Sequence, residues 1–220
     1  MNRIIVVFKC LPEIILEIKK KVKLIHFQKE YRKANTNNGT VAQNIFPLSK
    51  VTVGDYTYGG IHFVTFDNDD EHLYIGKCCS IAENVTFVGG GEHAYRKAFL
   101  YPLYTHVFKK QSLGPTPTKG PIVVEDDVWI GYGSVILSGC KIGKGSVIGA
   151  GSVVTKDIPP FSIYAGYKIL KSRFSSQKLR DFLSENDIEN FMDIDDESQR
   201  LVCELDLNED NLDMFRKVLK

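Results

Sequence analysis

The chain has 220 residues, room for one large domain or one domain with small appendages. Apolar residues make up 43% and charged residues 25%, the balance of a globular protein, and a net charge of +1 gives no field suited to nucleic acid or to an acidic partner. The five cysteines (Cys10, Cys78, Cys79, Cys140 and Cys203) form no Cys-x-x-Cys pair and read as reduced thiols of a cytoplasmic protein.

Met1 to Phe8 is mostly apolar until Lys9 interrupts it, and the next apolar stretch contains Pro12, Glu13 and Glu17. Neither reaches the ~20 residues that cross a bilayer, and no small-residue cleavage site follows. The expectation is therefore no stable membrane insertion, with a weak surface association through the basic amphipathic start left open. Residues 1–33 carry nine Lys/Arg against three Glu. Over residues 12–34, Ile14, Ile15, Ile18, Val22 and Ile25 with charges between them predict a helix. Residues 1–50 thus read as an N-terminal helical and extended segment.

A repeat follows. Val53-Gly54 looks like its start, and Ile75, Ile81 and Phe87 are spaced six apart. The phase then breaks. Residues 88–121 contain Gly89-Gly90-Gly91 and prolines at 102, 115, 117 and 121, and read as a long excursion. Long ordered loops inside a compact domain are usually functional. From Val124 the period returns through Ile130, Ile136, Ile142, Ile148 and Val154. Glycine follows three of these, at 131, 143 and 149. Ser134, Cys140, Ser146 and Ser152 recur four places after an aliphatic. Six is not a helical period, and a hairpin meander has turns at 8–12. Six suits a short strand plus a corner, with one side chain per repeat turned inward and stacked coils burying a continuous aliphatic column. Residues 51–165 therefore read as a parallel β-helix. Residues 166–220 show helical patterning, with twelve Asp/Glu against one Arg between 184 and 213. Terminal helices are expected to cap the open ends of such a column.

Four segments resemble the hexapeptide-repeat acyltransferases, and more narrowly their xenobiotic branch of chloramphenicol and streptogramin acetyltransferases. They are Val53-Gly54-Asp55-Tyr56-Thr57-Tyr58, Ile75-Gly76-Lys77-Cys78-Cys79-Ser80-Ile81, Gly90-Gly91-Glu92-His93 followed by Tyr101-Pro102, and the run from Val128-Trp129-Ile130-Gly131 to Lys156-Asp157-Ile158-Pro159-Pro160. In the second, Cys78 replaces the family's aromatic. The resemblance implies a mainly β fold, a left-handed parallel β-helix of hexapeptide repeats with an excursion loop and flanking α-helices at both termini. It also implies a homotrimer with active sites between subunits, acetyl-CoA as co-substrate without a metal, and direct transfer to an acceptor hydroxyl.

A hydroxyl needs a base within hydrogen-bond reach as it attacks a thioester, and histidine exchanges protons near neutral pH. His93 follows three glycines in the broken-phase loop; by position alone it reads as a surface histidine or a functional one, and the resemblance makes it the catalytic base. His62, His72 and His106 lack that match and read as structural or solvent-facing. Glu92 stands either to orient His93 or to lie exposed. The wider galactoside and maltose acetyltransferases imply a CoA wall of Trp129, Gly131, Tyr132 and Ala150, with Thr155 and Lys156 at the nucleotide half. Gly131 is structural first and binding second. Lys168, Lys171 and Arg173 are the candidate phosphate ligands. There the chain departs from the family: Gly166-Tyr167-Lys168-Ile169 replaces the usual Gly-x-Pro-Ala-Lys, and the segment looks about two residues short. Tyr56, Tyr58 and Tyr101 match residues near the acceptor pocket, although a tyrosine in a coil can equally be packing.

The branch's tryptophan-rich C-terminal segment is missing, and Trp129 is the only tryptophan. That moves the expected acceptor from an antibiotic towards a sugar or polysaccharide precursor, with amine or serine acetylation as further alternatives. A non-catalytic β-helix that binds a partner is a rival reading. A zinc enzyme on the same fold would need three converging histidines, and the nearest two here are ten residues apart.

Overall fold

In the computed structural model, residues 3–66, 68–93, 95–112 and 114–219 are described, with side chains from Cys10 onward in the first helix. Helix α1 (Arg3–Ala34) leads into β1 (Gly39–Ala42), β2 (Val51–Val53), β3 (Tyr58–Val64), β4 (Leu73–Ile75), β5 (Ser80–Ile81) and β6 (Thr86–Val88). The excursion carries one short helix, α2 (Leu103–His106). Then come β7 (Ile122–Val124), β8 (Trp129–Ile130), β9 (Val135–Leu137), β10 (Lys141–Ile142), β11 (Val147–Ile148), β12 (Val153–Val154), β13 (Ser162–Ala165) and β14 (Lys168–Ser172). Helices α3 (Gln177–Glu185), α4 (Asp196–Glu204) and α5 (Leu212–Val218) follow.

The strands stack in parallel as three faces of one column. The first face runs β1-β3-β5-β8-β11-β13, the second β2-β4-β7-β10, and the third β3-β6-β9-β12. Strand β3 serves two faces: Tyr58 and Gly59 pair with β5, and His62 to Val64 pair with β6. In the later coils Val123 lies opposite Lys141, Trp129 opposite Val147 and Val135 opposite Val153, the partners in each case three repeats apart. One coil is thus three of the six-residue repeats, and each strand lends its N–H and C=O groups to the coil above and below. Earlier coils are longer, with Val53 facing Ile75 and Phe63 facing Phe87, both beyond three repeats. The excursion is inserted whole between β6 and β7, so Ser80 still pairs with Trp129. The last coil is two residues short, with Ile142 opposite Ile158 and Val147 opposite Ile163. That shortening lies at the Thr155–Asp157 corner, ahead of the Gly166–Ile169 segment where the departure from the family was read.

The six-residue column is the core. Val124, Ile130, Ile136, Ile142, Ile148 and Val154 are all buried, with Ile75, Ile81 and Phe87 stacked on them. Fully burying one such side chain stabilises by about 1.5–3 kcal/mol. The small residues do more than leave room. The hydroxyl of Ser134 donates to the Gly131 carbonyl at 2.8 Å, and that of Ser146 to the Pro159 carbonyl at 3.0 Å, closing the corners. A second six-residue series sets the turns. Asp127, Gly133, Gly139, Gly145 and Gly151 all have φ between 56° and 72°, the left-handed conformation each corner requires. Four of the five are glycine, as that conformation favours.

The ends differ from a simple pair of caps. The stacked strands begin at Gly39, ahead of residue 51, because β1 pairs with β3 and Ala42 and Phe46 join the core. Helix α1 covers that end with Phe27 and Tyr31; Tyr31 is 1% exposed, and its hydroxyl bonds Thr40 Oγ1 at 2.7 Å. The C-terminal helices form their own core around Leu179, Phe182, Leu212 and Phe215. They meet the column's flank, not its open end. Lys144 donates to Asp187 at 2.9 Å, and Lys77 pairs with Glu189, both from the corner between the second and first faces. The last coil is edged by β14, which pairs antiparallel with β13.

Candidate active site

The excursion leaves the third face after Val88 and is anchored by its glycines. A side chain on Gly89 would strike the Phe63 ring at 2.8 Å, one on Gly90 would meet Glu71 Oε1, and one on Gly91 would strike the Phe66 ring at 2.6 Å. The glycine run is therefore a close approach to the 63–71 segment. Glu71 is fully buried there. Its Oε2 accepts the Phe66 N–H at 2.8 Å and lies 3.9 Å from Lys50 Nζ. The two arms of the excursion are tied together, Thr118 Oγ1 donating to the Gly89 carbonyl at 2.5 Å and the Glu92 N–H to the Pro117 carbonyl at 3.2 Å. Asn68 joins the exit arm by donating to the Thr116 carbonyl at 2.8 Å.

These ties present His93 outward. Its Nδ1 lies 3.0 Å from the Leu100 carbonyl. A carbonyl can only accept, so Nδ1 carries a hydrogen, and in the neutral ring the lone pair is on Nε2. The orienting group is therefore Leu100, not Glu92. Glu92 instead pairs with Lys119 at 3.1 Å and lies 3.5 Å from Ser138 Oγ, pinning the base of the excursion to the corner of the next coil. His93, Glu92 and Tyr101 line one open hollow of about 820 Å³, together with Phe99, Tyr104 and His106. His106, set aside in the sequence reading, sits beside Tyr101 with ring centres 5.8 Å apart. Only the broken phase of residues 88–121 hinted that it belonged here.

The other expected site residues lie on different faces. Pairing places Tyr58, Trp129 and Lys171 in one row on the first face, through Ser80, Val147 and Ile163. Tyr58 and Trp129 are both exposed. Tyr56, at φ 61°, is exposed in the corner just before β3. Tyr132 and Ala150 occupy successive corners between the first and third faces. The Tyr132 hydroxyl accepts from Asn84 Nδ2 at 2.7 Å, and its carbonyl from the Gly151 N–H at 2.7 Å. Gly131 is buried, and a side chain there would press on the Ala150 nitrogen at 2.6 Å, so its role is structural. Thr155 and Lys156 are exposed at the corner between the third and second faces, the corner from which the excursion departs. Lys168 is exposed on β14 beside Lys171. Arg173 is engaged elsewhere: it donates to Asp127 Oδ2 and to the Gly145 carbonyl, both at 3.1 Å, and stacks over Phe174. These bonds tie it to the corner between the second and first faces, so its guanidinium is already engaged.

Cys79 of the second motif is structural. Burial pushes the Cys79 thiol up to about 12, and its sulfur lies 3.1 Å from the Glu125 carbonyl. A thiol so placed is a poor nucleophile.

The chain forms a three-faced parallel column with an inserted histidine loop, and in sequence it is similar to known transferases. The family described as "Bacterial transferase hexapeptide (six repeats)" matches residues 121–156. A probable macrolide acetyltransferase of Lysinibacillus sphaericus is 38% identical over 128 residues, 52% of this chain and 71% of that protein. A chloramphenicol acetyltransferase of Klebsiella aerogenes is 33% identical over 148 residues, 59% of this chain and 70% of that one. A galactoside acetyltransferase solved in complex with coenzyme A is 25% identical with a TM-score of 0.48, over 77% of this chain and 85% of that chain. The chain belongs to the hexapeptide-repeat acyltransferases, among the relatives of the chloramphenicol and macrolide acetyltransferases.

Proposed function

We propose that the protein transfers an acetyl group from acetyl-CoA to a hydroxyl of a small molecule, a sugar or polysaccharide precursor, with His93 as the general base. The observation that carries this is the bond from His93 Nδ1 to the Leu100 carbonyl, because in the neutral ring it leaves Nε2 free to accept a proton, and His93 lines the hollow. Nε2 takes the acceptor's proton as its oxygen attacks the thioester carbon. Collapse of the tetrahedral species breaks the C–S bond, and His93 returns the proton to the departing sulfur. Acetyl-CoA supplies the activated acyl group. The first-to-third-face corner suits its pantetheine arm: Gly133, Gly151 and Gly166 all border open space there. Thr155, Lys156, Lys168 and Lys171, all exposed, are assigned to the nucleotide half, and Tyr56, Tyr58 and Tyr101 to the acceptor.

The column is read as a left-handed β-helix and the assembly as a homotrimer. Within one chain the His93 hollow and the Trp129 row are on different faces, and a neighbouring copy supplies the missing wall. The relatives' names keep chloramphenicol or macrolide acetylation as the second reading.

The test is His93→Ala. Loss of a positioned base lowers transfer about 10²–10⁴-fold, read as free-thiol release across a panel of sugars, chloramphenicol, macrolides and serine, while CoA binding by calorimetry is unchanged. Turnover that survives the substitution overturns the assignment.

A further inference from the structure

From Cys10 to Lys23, α1 is a surface with no occupant among the described residues. Every residue of that stretch is exposed, and only the last turns, through Phe27 and Tyr31, join the core. At about 100° per residue, Leu11, Ile14, Ile15, Ile18, Val22 and Ile25 fall within an arc about 100° wide. These six side chains are between 42% and 59% exposed. Lys19 and Lys21 flank the arc, about 80° to either side of its centre. Lys20 and Lys23 lie behind them.

We propose that α1 docks in the plane of an anionic lipid bilayer, with the isoleucine arc in the acyl boundary and the lysines at headgroup level. Three features select this occupant. The charge is complementary: residues 1–33 carry nine Lys/Arg against three Glu. The two flanking lysines stand where their stems can lie along the apolar boundary while the ammonium groups reach the phosphates. No helix among the described residues is long and apolar enough to cross a membrane, so α1 lies on the surface and does not span it. A second copy of α1 packed on the same arc would set Lys19 and Lys21 of one helix against those of the other, a like-charge arrangement at the positions that decide helix pairing. The inference is independent of the acceptor and of His93.

The experiment is co-sedimentation of the full chain with phosphatidylcholine vesicles, with and without phosphatidylglycerol, at low and high salt. Binding is expected to the anionic vesicles, weakened about tenfold or more by omitting phosphatidylglycerol or by raising salt. Ile18→Glu and the pair Lys19→Glu/Lys21→Glu are each expected to weaken it similarly. Because these side chains are exposed and make no side-chain hydrogen bond or ion pair among the described residues, melting temperature and thiol-release activity should stay at the wild-type level in both variants. Mass by light scattering should also be unchanged in Ile18→Glu. No binding to anionic vesicles, or binding indifferent to Ile18→Glu, overturns the proposal. A fall in oligomer mass with Ile18→Glu overturns it in favour of a second copy on the arc.

Discussion

His93 is aimed by a backbone carbonyl, and no side-chain substitution removes Leu100 O directly. What places that carbonyl is the path of the excursion, and the path begins on Gly90 pressed against a buried carboxylate. Gly90→Ala would set a methyl group on Glu71 Oε1, and Glu71 is fully buried and held by the Phe66 N–H. The excursion must shift to admit it. Displacement of a catalytic group by about 1 Å can cost about 10²-fold in rate, so kcat by thiol release should fall on that order. The Kd for CoA, whose expected wall is on other faces, should stay constant. A wild-type kcat in Gly90→Ala would mean that the loop is set elsewhere. Neither Glu71 nor Leu100 was visible as a site residue in the sequence. Glu71 sits outside every motif, and a carbonyl has no residue type.

At the scale of strands and corners, the sequence was informative where one side chain per repeat points inward. The aliphatic column from Val124 to Val154 is that pattern, and the excursion announced itself by breaking it. The turn residues at 127, 133, 139, 145 and 151 follow the same period, yet only the glycines at 131, 143 and 149 stood out in the sequence. What could not be read is where coils lengthen. The stretched coils that join β2 and β3 to their partners hide β1 from a search for sixes. The docking of α3–α5 on a flank rests on ion pairs between residues far apart in the chain, such as Lys144 with Asp187. Corners are also closed by carboxylates, and this makes the column acid-sensitive. Burial acts to raise the pKa of Glu125, but the ion pair with Lys141 at 2.6 Å, the Lys144 N–H and the charges of both lysines outweigh it and hold it below the ordinary carboxylate value. A folded pKa below the unfolded one gives stability that is present above the unfolded value and lost as pH falls through the folded one. Glu125→Gln should therefore be less stable than wild type at neutral pH, with the gap in urea midpoint steady above the unfolded carboxylate value of about 4.3 and closing as pH falls below it. A gap that stays constant over that range would show that the carboxylate's charge is not what closes this corner.

For the whole molecule, the arrangement of faces bears on how copies would have to assemble. The hollow under His93 and the corner at Ala150 are both built in each chain, yet separated by the third face. If each active site joins the hollow of one copy to the corner of the next, two differently damaged chains can repair one another. On that reading His93→Ala removes the base. Ala150→Trp fills the exposed corner through which pantetheine is expected to run. Each should be inactive as a homotrimer. Unfolded together in equal amounts and refolded, they form mixed trimers in which some interfaces pair an intact hollow with an intact corner. With random mixing about a quarter of the interfaces do so, because each contributing half is intact about half the time. Activity should thus return to about a quarter of wild type per chain. The control mixes separately refolded homotrimers without unfolding and should remain inactive while subunits do not exchange. Failure of the co-refolded mixture to recover, with trimers formed and CoA bound by the His93→Ala chains, would mean that hollow and corner meet within a single chain or do not form one site.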